Sequence, residues 1–477
     1  MQHDDRLYLN GIDAETGQYL VPPMELEEVA ATVKGVKEDN STVSWLRSVW
    51  RIISQPHLGL PFDVDPAKIS EAGWAIVFHQ DESQSVKDAL RPLIKHRKEQ
   101  VGDESKVKEL VYRTGQNRAE WLAGYGVGAG NVEPTKVPFY LLIVGSPEQI
   151  PFGFCQEIDV EYGVGRLHFE TPQEYAEYVR QVVEYETAAT VPNGKEAVFF
   201  GVRHDFDRAT QMSADLLVKP LADGPDPTTK GVADRWGYKT RKIWGAQATK
   251  SALTEVLRAG GGAKPPALLF TASHGMGFKR GNANQLKEQG ALLCQDWPGF
   301  GQISADHYFA AADLSADTRA QGLIAFHFAC FGAGTPAFDN FIHKPGQPPP
   351  QIADRPFIAA LPKALLTRGA LACVGHVERA WGYSIVTPNA GPQLIPFQNA
   401  LGRLLVGQPV GYAMKDINER YAVVSTSLTS LLEKASFGAQ VSDFELANSW
   451  VERNDAGGYF VIGDPAARLR VDALSSN

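Results

Sequence analysis

Several stretches of this chain are apolar along their whole length, as long as a strand, and closed by glycine within a few residues. Ala267-Leu268-Leu269-Phe270-Thr271-Ala272, Leu323 to Phe328 and Ala370-Leu371-Ala372-Cys373-Val374 are the clearest. A strand with no polar face is buried on both sides, which is the habit of parallel sheets covered by helices. Ala75 to Phe78, Pro138 to Gly145, Ala197 to Gly201 and Tyr459 to Gly463 read the same way. Helical spacing falls between them. Ser85 to Lys98 places Leu90, Leu93 and Ile94 on one face, and Thr171 to Thr187 carries Pro172 in its first turn. Further helices are predicted near 209–219, 249–259, 395–407 and 409–423, and over Pro356 to Arg368, where Gly369 caps the end. A strand is predicted near 238–244, and a hairpin-like section between residues 275 and 322. Strands alternating with helices predict an α/β fold, a mainly parallel sheet flanked by helices.

Length allows more than one unit. The 477 residues divide into an N-terminal extension (1–70), a first α/β series (71–192) and a second, longer one (193–477). The extension is the least patterned part: Trp45 to Ile53 has helical spacing, Pro61 to Pro66 reads as a linker, and the whole is expected to pack on the α/β series after it. A net charge of −9 and the lack of a basic stripe argue against a nucleic-acid binder. No apolar run approaches a membrane span, and Met1 to Arg6 lacks the basic and apolar regions of a signal peptide. Cysteines at 155, 294, 330 and 373 are scattered without CxxC pairs, which implies no disulfide framework, no zinc site and a reduced, cytoplasmic setting. No metal or cofactor is expected: Gly163 and Gly165 lack the third glycine of a dinucleotide loop, and acidic clusters lack calcium-loop spacing.

Two of the strands end in reactive groups. The first closes on His274-Gly275 and the second on Ala329-Cys330, with Phe331-Gly332-Ala333-Gly334 following. Ligands of open α/β sheets bind at the carboxyl edge, so neighbouring strands would present an imidazole and a thiol together. Cys330 is the expected nucleophile and His274 the general acid/base. The N–H groups of Gly275 and Cys330 are the expected oxyanion donors. Most free cysteines are small buried hydrophobes, and Cys155, Cys294 and Cys373 are read so. His327 lies three residues before Cys330 on an extended strand and should face the other side. His376 is read as pocket wall.

These strand ends resemble the caspase-like cysteine peptidases of clan CD, with caspases, gingipains, separase and CHAT domains, and are most similar to the gingipain and CHAT branch. Gly369 to Ser384 is similar to the strand and tryptophan loop after a gingipain nucleophile. Tyr140 to Gly145, Tyr162 to Leu167 and the helix through Glu186 resemble the non-catalytic N-terminal subdomain of that group, as Gly463-Asp464-Pro465 resembles its ending. The resemblance implies a caspase-hemoglobinase-like fold with a second, related N-terminal α/β subdomain. It implies a cysteine endopeptidase acting on a protein or peptide, with a Cys330/His274 dyad and Trp381 walling the primary pocket. Gingipains are exported, whereas the cysteine pattern and N-terminus here imply an intracellular enzyme. Specificity would reside in the Asp205-Phe206-Asp207 loop, with Glu378 and Asp339 as competitors, and an acidic residue there would select Arg or Lys. The caspase string Gln-Ala-Cys-Arg-Gly is replaced by Phe328-Ala329-Cys330-Phe331-Gly332, so aspartate specificity is not implied. Two alternatives stand beside this: a catalytically silent scaffold, or a latent effector of a bacterial defence or death pathway, opened by a regulatory partner or by cleavage. The segments 276–300 and 331–355 are long enough for regulatory loops.

Overall fold

The computed structural model describes residues 6–35, 60–258, 264–339, 348–387 and 391–475. The helical pattern at Trp45 to Ile53 lies outside them. The chain opens with a short strand, Gly11–Asp13 (β1), and the helix Leu26–Gly35. Then come Trp74–His79 (β2), Val107–Tyr112 (β3), Tyr140–Val144 (β4) and Gly163–Leu167 (β5). The second series supplies Gly194–Gly201 (β6), Lys239–Trp244 (β7) and Pro266–Ala272 (β8). The short Gly275–Gly277 (β9), Leu292–Leu293 (β10) and Tyr308–Phe309 (β11) follow, then Ile324–Phe328 (β12). Gly334–Thr335 (β13) and Phe357–Ile358 (β14) pair with each other, Ala372–His376 (β15) follows, Val386–Thr387 (β16) pairs with Gly391–Pro392 (β17), and Tyr459–Gly463 (β18) closes the series.

Ten of these strands make one sheet in the order β3-β2-β4-β5-β18-β15-β12-β8-β6-β7. Every pairing is parallel except β15 with β18. The sheet is therefore two parallel halves running in opposite directions and joined at that one antiparallel seam. All of the residues of β2, β4, β5, β8, β12, β15 and β18 are buried, as strands apolar on both faces require. The last strand departs from the division at residue 193: β18 comes from the C-terminal end, yet it pairs parallel with β5 and completes the first half. A parallel neighbour needs a long crossover, and between β5 and β18 that crossover is the whole second half of the sheet, residues 168–458.

Helices Gln84–Val101 and Pro172–Thr187 pack together on the first half. The second begins as its sequence predicts, with Pro172 after the cap and a reciprocal box between Thr171 and Glu174. Two predicted helices are corrected. The one at 356–368 is shortened to Ala360–Leu366, because Phe357 and Ile358 are drawn into β14. The one at 409–423 is split into Val410–Ala413 and a longer Lys415–Ser436. The hairpin-like section is part of a second, four-stranded sheet in the order β1-β9-β10-β11, to which the N-terminal segment contributes its own strand.

Candidate active site

β8 and β12 are adjacent and parallel, with Ala272 opposite Phe328. Their carboxyl ends consequently leave the sheet at one level, carrying His274 from one and Cys330 from the other. The two turns are in contact through Gly275. A Cβ on that residue would lie 1.8 Å from the Cys330 carbonyl oxygen, so only glycine allows this approach. The turn after the cysteine is held in a conformation that side chains rarely adopt. Phe331 has φ 58° and Glu378 has φ 76°, and the Phe331 N–H donates to the Glu378 carbonyl at 2.5 Å. Strain of this kind persists only where surrounding structure over-determines it, and it gathers at functional sites.

His274 is fully buried, and its Nε2 lies 2.7 Å from Oδ2 of Asp207, itself fully buried. A carboxylate only accepts, so Nε2 carries the proton and Nδ1, which has no hydrogen-bond partner, is left as the basic nitrogen. Tyr19 donates its hydroxyl to Oδ1 of the same carboxylate, and the N–H groups of Ala209 and Thr210 approach it at 3.3 Å each. Burial alone would raise the Asp207 carboxyl, but the adjacent His274 imidazole and the hydrogen bonds from His274, Thr210 and Tyr19 outweigh it and hold it well below the usual range. The imidazole is flanked edge-on by Tyr19 and Trp297, with ring centroids 5.8 and 6.0 Å away. Tyr19, Trp297 and the pairing of Asp207 with His274 carry no signal in the sequence. They arise because the N-terminal segment, the section after β9 and the loop after β6 converge in space.

The Cys330 sulfur is fully buried and accepts the Ala380 N–H at 3.2 Å. Burial pushes its thiol up to about 12. The remaining expected residues are placed differently from one another. Trp381 is buried with Leu7, Leu9 and Trp450 around it, and its backbone N–H donates to Asp455 at 2.8 Å. Asp205 is exposed and paired with Arg203 at 2.6 Å. Asp207 departs from the expected pocket position, since its carboxylate is taken up by His274 and Tyr19. Glu378 is buried with its carboxylate 3.4 Å from Arg379, which also holds Asp339 at 2.8 Å. His327 faces Thr271, its Nδ1 2.8 Å from the hydroxyl, and burial lowers it to about 4. His376 is fully buried in the core, tilted against the ring of Tyr459 and edge-on to Phe328.

Residues 76–470 match the sequence profile of peptidase family C25. The chain belongs to that family. C25 enzymes are cysteine peptidases of the gingipain type, and the mainly parallel sheet flanked by helices is the caspase-like arrangement. None of the curated proteins matches this C25 chain. Among solved structures, one described as "Structure of Protease" aligns at 12% identity over 83% of this chain and 78% of its own, with a TM-score of 0.41. Two structures of the Saccharomyces cerevisiae separase–securin complex align at 9% and 8% identity, over 69% and 92% of this chain but only 16% and 24% of theirs, with TM-scores of 0.29 and 0.30. Among the described residues, no helix is long and apolar enough to cross a membrane, and no group of three or more His, Cys, Asp and Glu side chains could hold a metal ion.

Proposed function

We propose that this C25 chain is a cysteine endopeptidase of a reducing, cytoplasmic setting, with Cys330 as nucleophile and His274 as acid/base. Asp207 is the positioning residue for the imidazole. The observation that carries this reading is the buried Asp207–His274 contact of 2.7 Å, which leaves Nδ1 as the working nitrogen at the strand end beside Cys330. In the reaction Cys330 attacks the peptide carbonyl, the Gly275 N–H holds the oxyanion, and His274 passes the thiol proton to the departing amine. A preference for Arg or Lys keeps little support. Asp207 is committed to His274, Asp205 to Arg203, and Glu378 lies beside Arg379. Substrates are proteins or peptides that enter as extended strands. Hydrolysis of casein by purified wild type, Cys330→Ala and His274→Ala tests the assignment, with a loss of about 1000-fold or more expected in both variants. Equal activity in Cys330→Ala would overturn it.

The full burial of the Cys330 sulfur favours a second reading, a silent scaffold or a protease kept latent. A broadly thiol-reactive label read by intact mass separates the two. A scaffold leaves Cys330 unmodified under every condition that preserves the fold, whereas a latent enzyme is labelled once it is opened.

A further inference from the structure

The cover over Cys330 is the chain's own N-terminal segment, and it lies in the cleft as an extended peptide. Leu9 bridges Trp381 in antiparallel fashion. Asn10 donates its N–H to the Ala380 carbonyl and accepts the Gly275 N–H on its own carbonyl, both at 3.1 Å. From Gly11 the pairing passes to the other wall, with Gly11, Ile12 and Asp13 opposite Gly275, Met276 and Gly277 in parallel register. Gly11 rests on the nucleophile: a Cβ there would lie 3.2 Å from the Cys330 sulfur and 2.6 Å from a methyl of Leu20. A strand added to an edge is a general mode of peptide recognition. Here the residue whose carbonyl takes the Gly275 N–H is Asn10, and the residue over the sulfur is the next one.

Resting on the proposed Cys330/His274 chemistry, we infer that the Asn10–Gly11 peptide bond is a substrate of this active site, cut in cis. The primary pocket accordingly takes a neutral side chain of asparagine size. The Cys330 thiol gives its proton to His274, and the sulfur bonds to the Asn10 carbonyl carbon. The bond to the Gly11 nitrogen then breaks as His274 passes that proton to it. Water hydrolyses the thioester, leaving a carboxylic acid on Asn10 and restoring the thiol. The Asn10 side chain is fully buried with neither amide atom hydrogen-bonded, and a lysine or arginine in its place would carry a charge into full burial, which is costly.

The test incubates purified full chain under reducing conditions and follows intact mass and N-terminal sequence. The expected result is a new N-terminus at Gly11, formed at a rate independent of protein concentration. It is absent in Cys330→Ala and about 100-fold slower in Asn10→Lys. Cleavage at another bond, equal cleavage in Cys330→Ala, or a rate rising with concentration would overturn the inference. Gly11→Val and Leu20→Ala, which loosen the strand in different ways, are assayed on casein alongside. If either hydrolyses casein while wild type stays uncut, the inference falls and the peptidase reading stands. If neither does and wild type stays uncut, both fall.

Discussion

At the scale of single residues, the contact between Gly275 and Cys330 decides how near the two strand ends come. A methyl group at Gly275 would meet the Cys330 carbonyl oxygen at 1.8 Å, so Gly275→Ala must separate the turns. Casein hydrolysis in that variant is expected to fall about 100-fold or more while far-UV circular dichroism is kept, since one oxyanion donor alone is worth that much. Asp207→Asn keeps the size of the side chain but presents either donor or acceptor to Nε2. It is expected to lower kcat on the order of 1000-fold, with labelling of an opened Cys330 retained. His327 supplies a pH signature. Burial lowers it from 6.5 to about 4, so the unfolded chain takes up a proton over that interval which the fold refuses. Stability is full above about 6.5 and is lost as pH falls toward 4, by about 2 kcal/mol at pH 5. Burial likewise lowers His168 and His204 to about 4, which adds in the same direction. Urea titrations at pH 7 and pH 5 would show the fall, and His327→Gln would reduce it.

At the scale of elements, local rules explain the helices and fail at the short strands. Thr171 caps the helix Pro172–Thr187 in a reciprocal box with Glu174, so Thr171→Ala should cost about 1 kcal/mol in urea unfolding without touching activity. The same local rules misplace residues 356–368, because the pairing of Phe357 with Thr335 is set by a partner distant in sequence. They also give no sign of β1. Gly11-Ile12-Asp13 has no strand pattern of its own, and it is extended because β9 offers an open edge beside it. Cys330, His274 and Gly275 are legible because each closes a long apolar run. The partners of Asp207 are not, because a carboxylate in a loop carries no mark of the imidazole it meets 67 residues on.

At the scale of the molecule, the antiparallel seam between β15 and β18 joins two parallel halves, and a buried ionic cluster ties its end to the first half. Asp464, next after β18, accepts from Arg97 at 2.8 Å and from the indole of Trp74 at 3.0 Å. Arg97 also holds Glu186 through two nitrogens at 2.6 and 2.9 Å. Removing one partner leaves buried charge without its match. Asp464→Ala is therefore expected to cost about 3–5 kcal/mol, seen as a lower urea midpoint. Hydrophobic period and chain-breaking glycines are local properties, so the order of residues alone dictates the alternation of buried strands with helices, and with it the α/β class. It also dictates which strands end in a thiol and an imidazole. Three outcomes belong to the assembled fold instead: β18 returns to the first half, Asp207 pairs with His274, and Gly11 lies over Cys330. The first and third depend on which edges and unpaired backbone groups remain open after the sheet has formed, the second on which loops the sheet brings together, and no single segment contains that information.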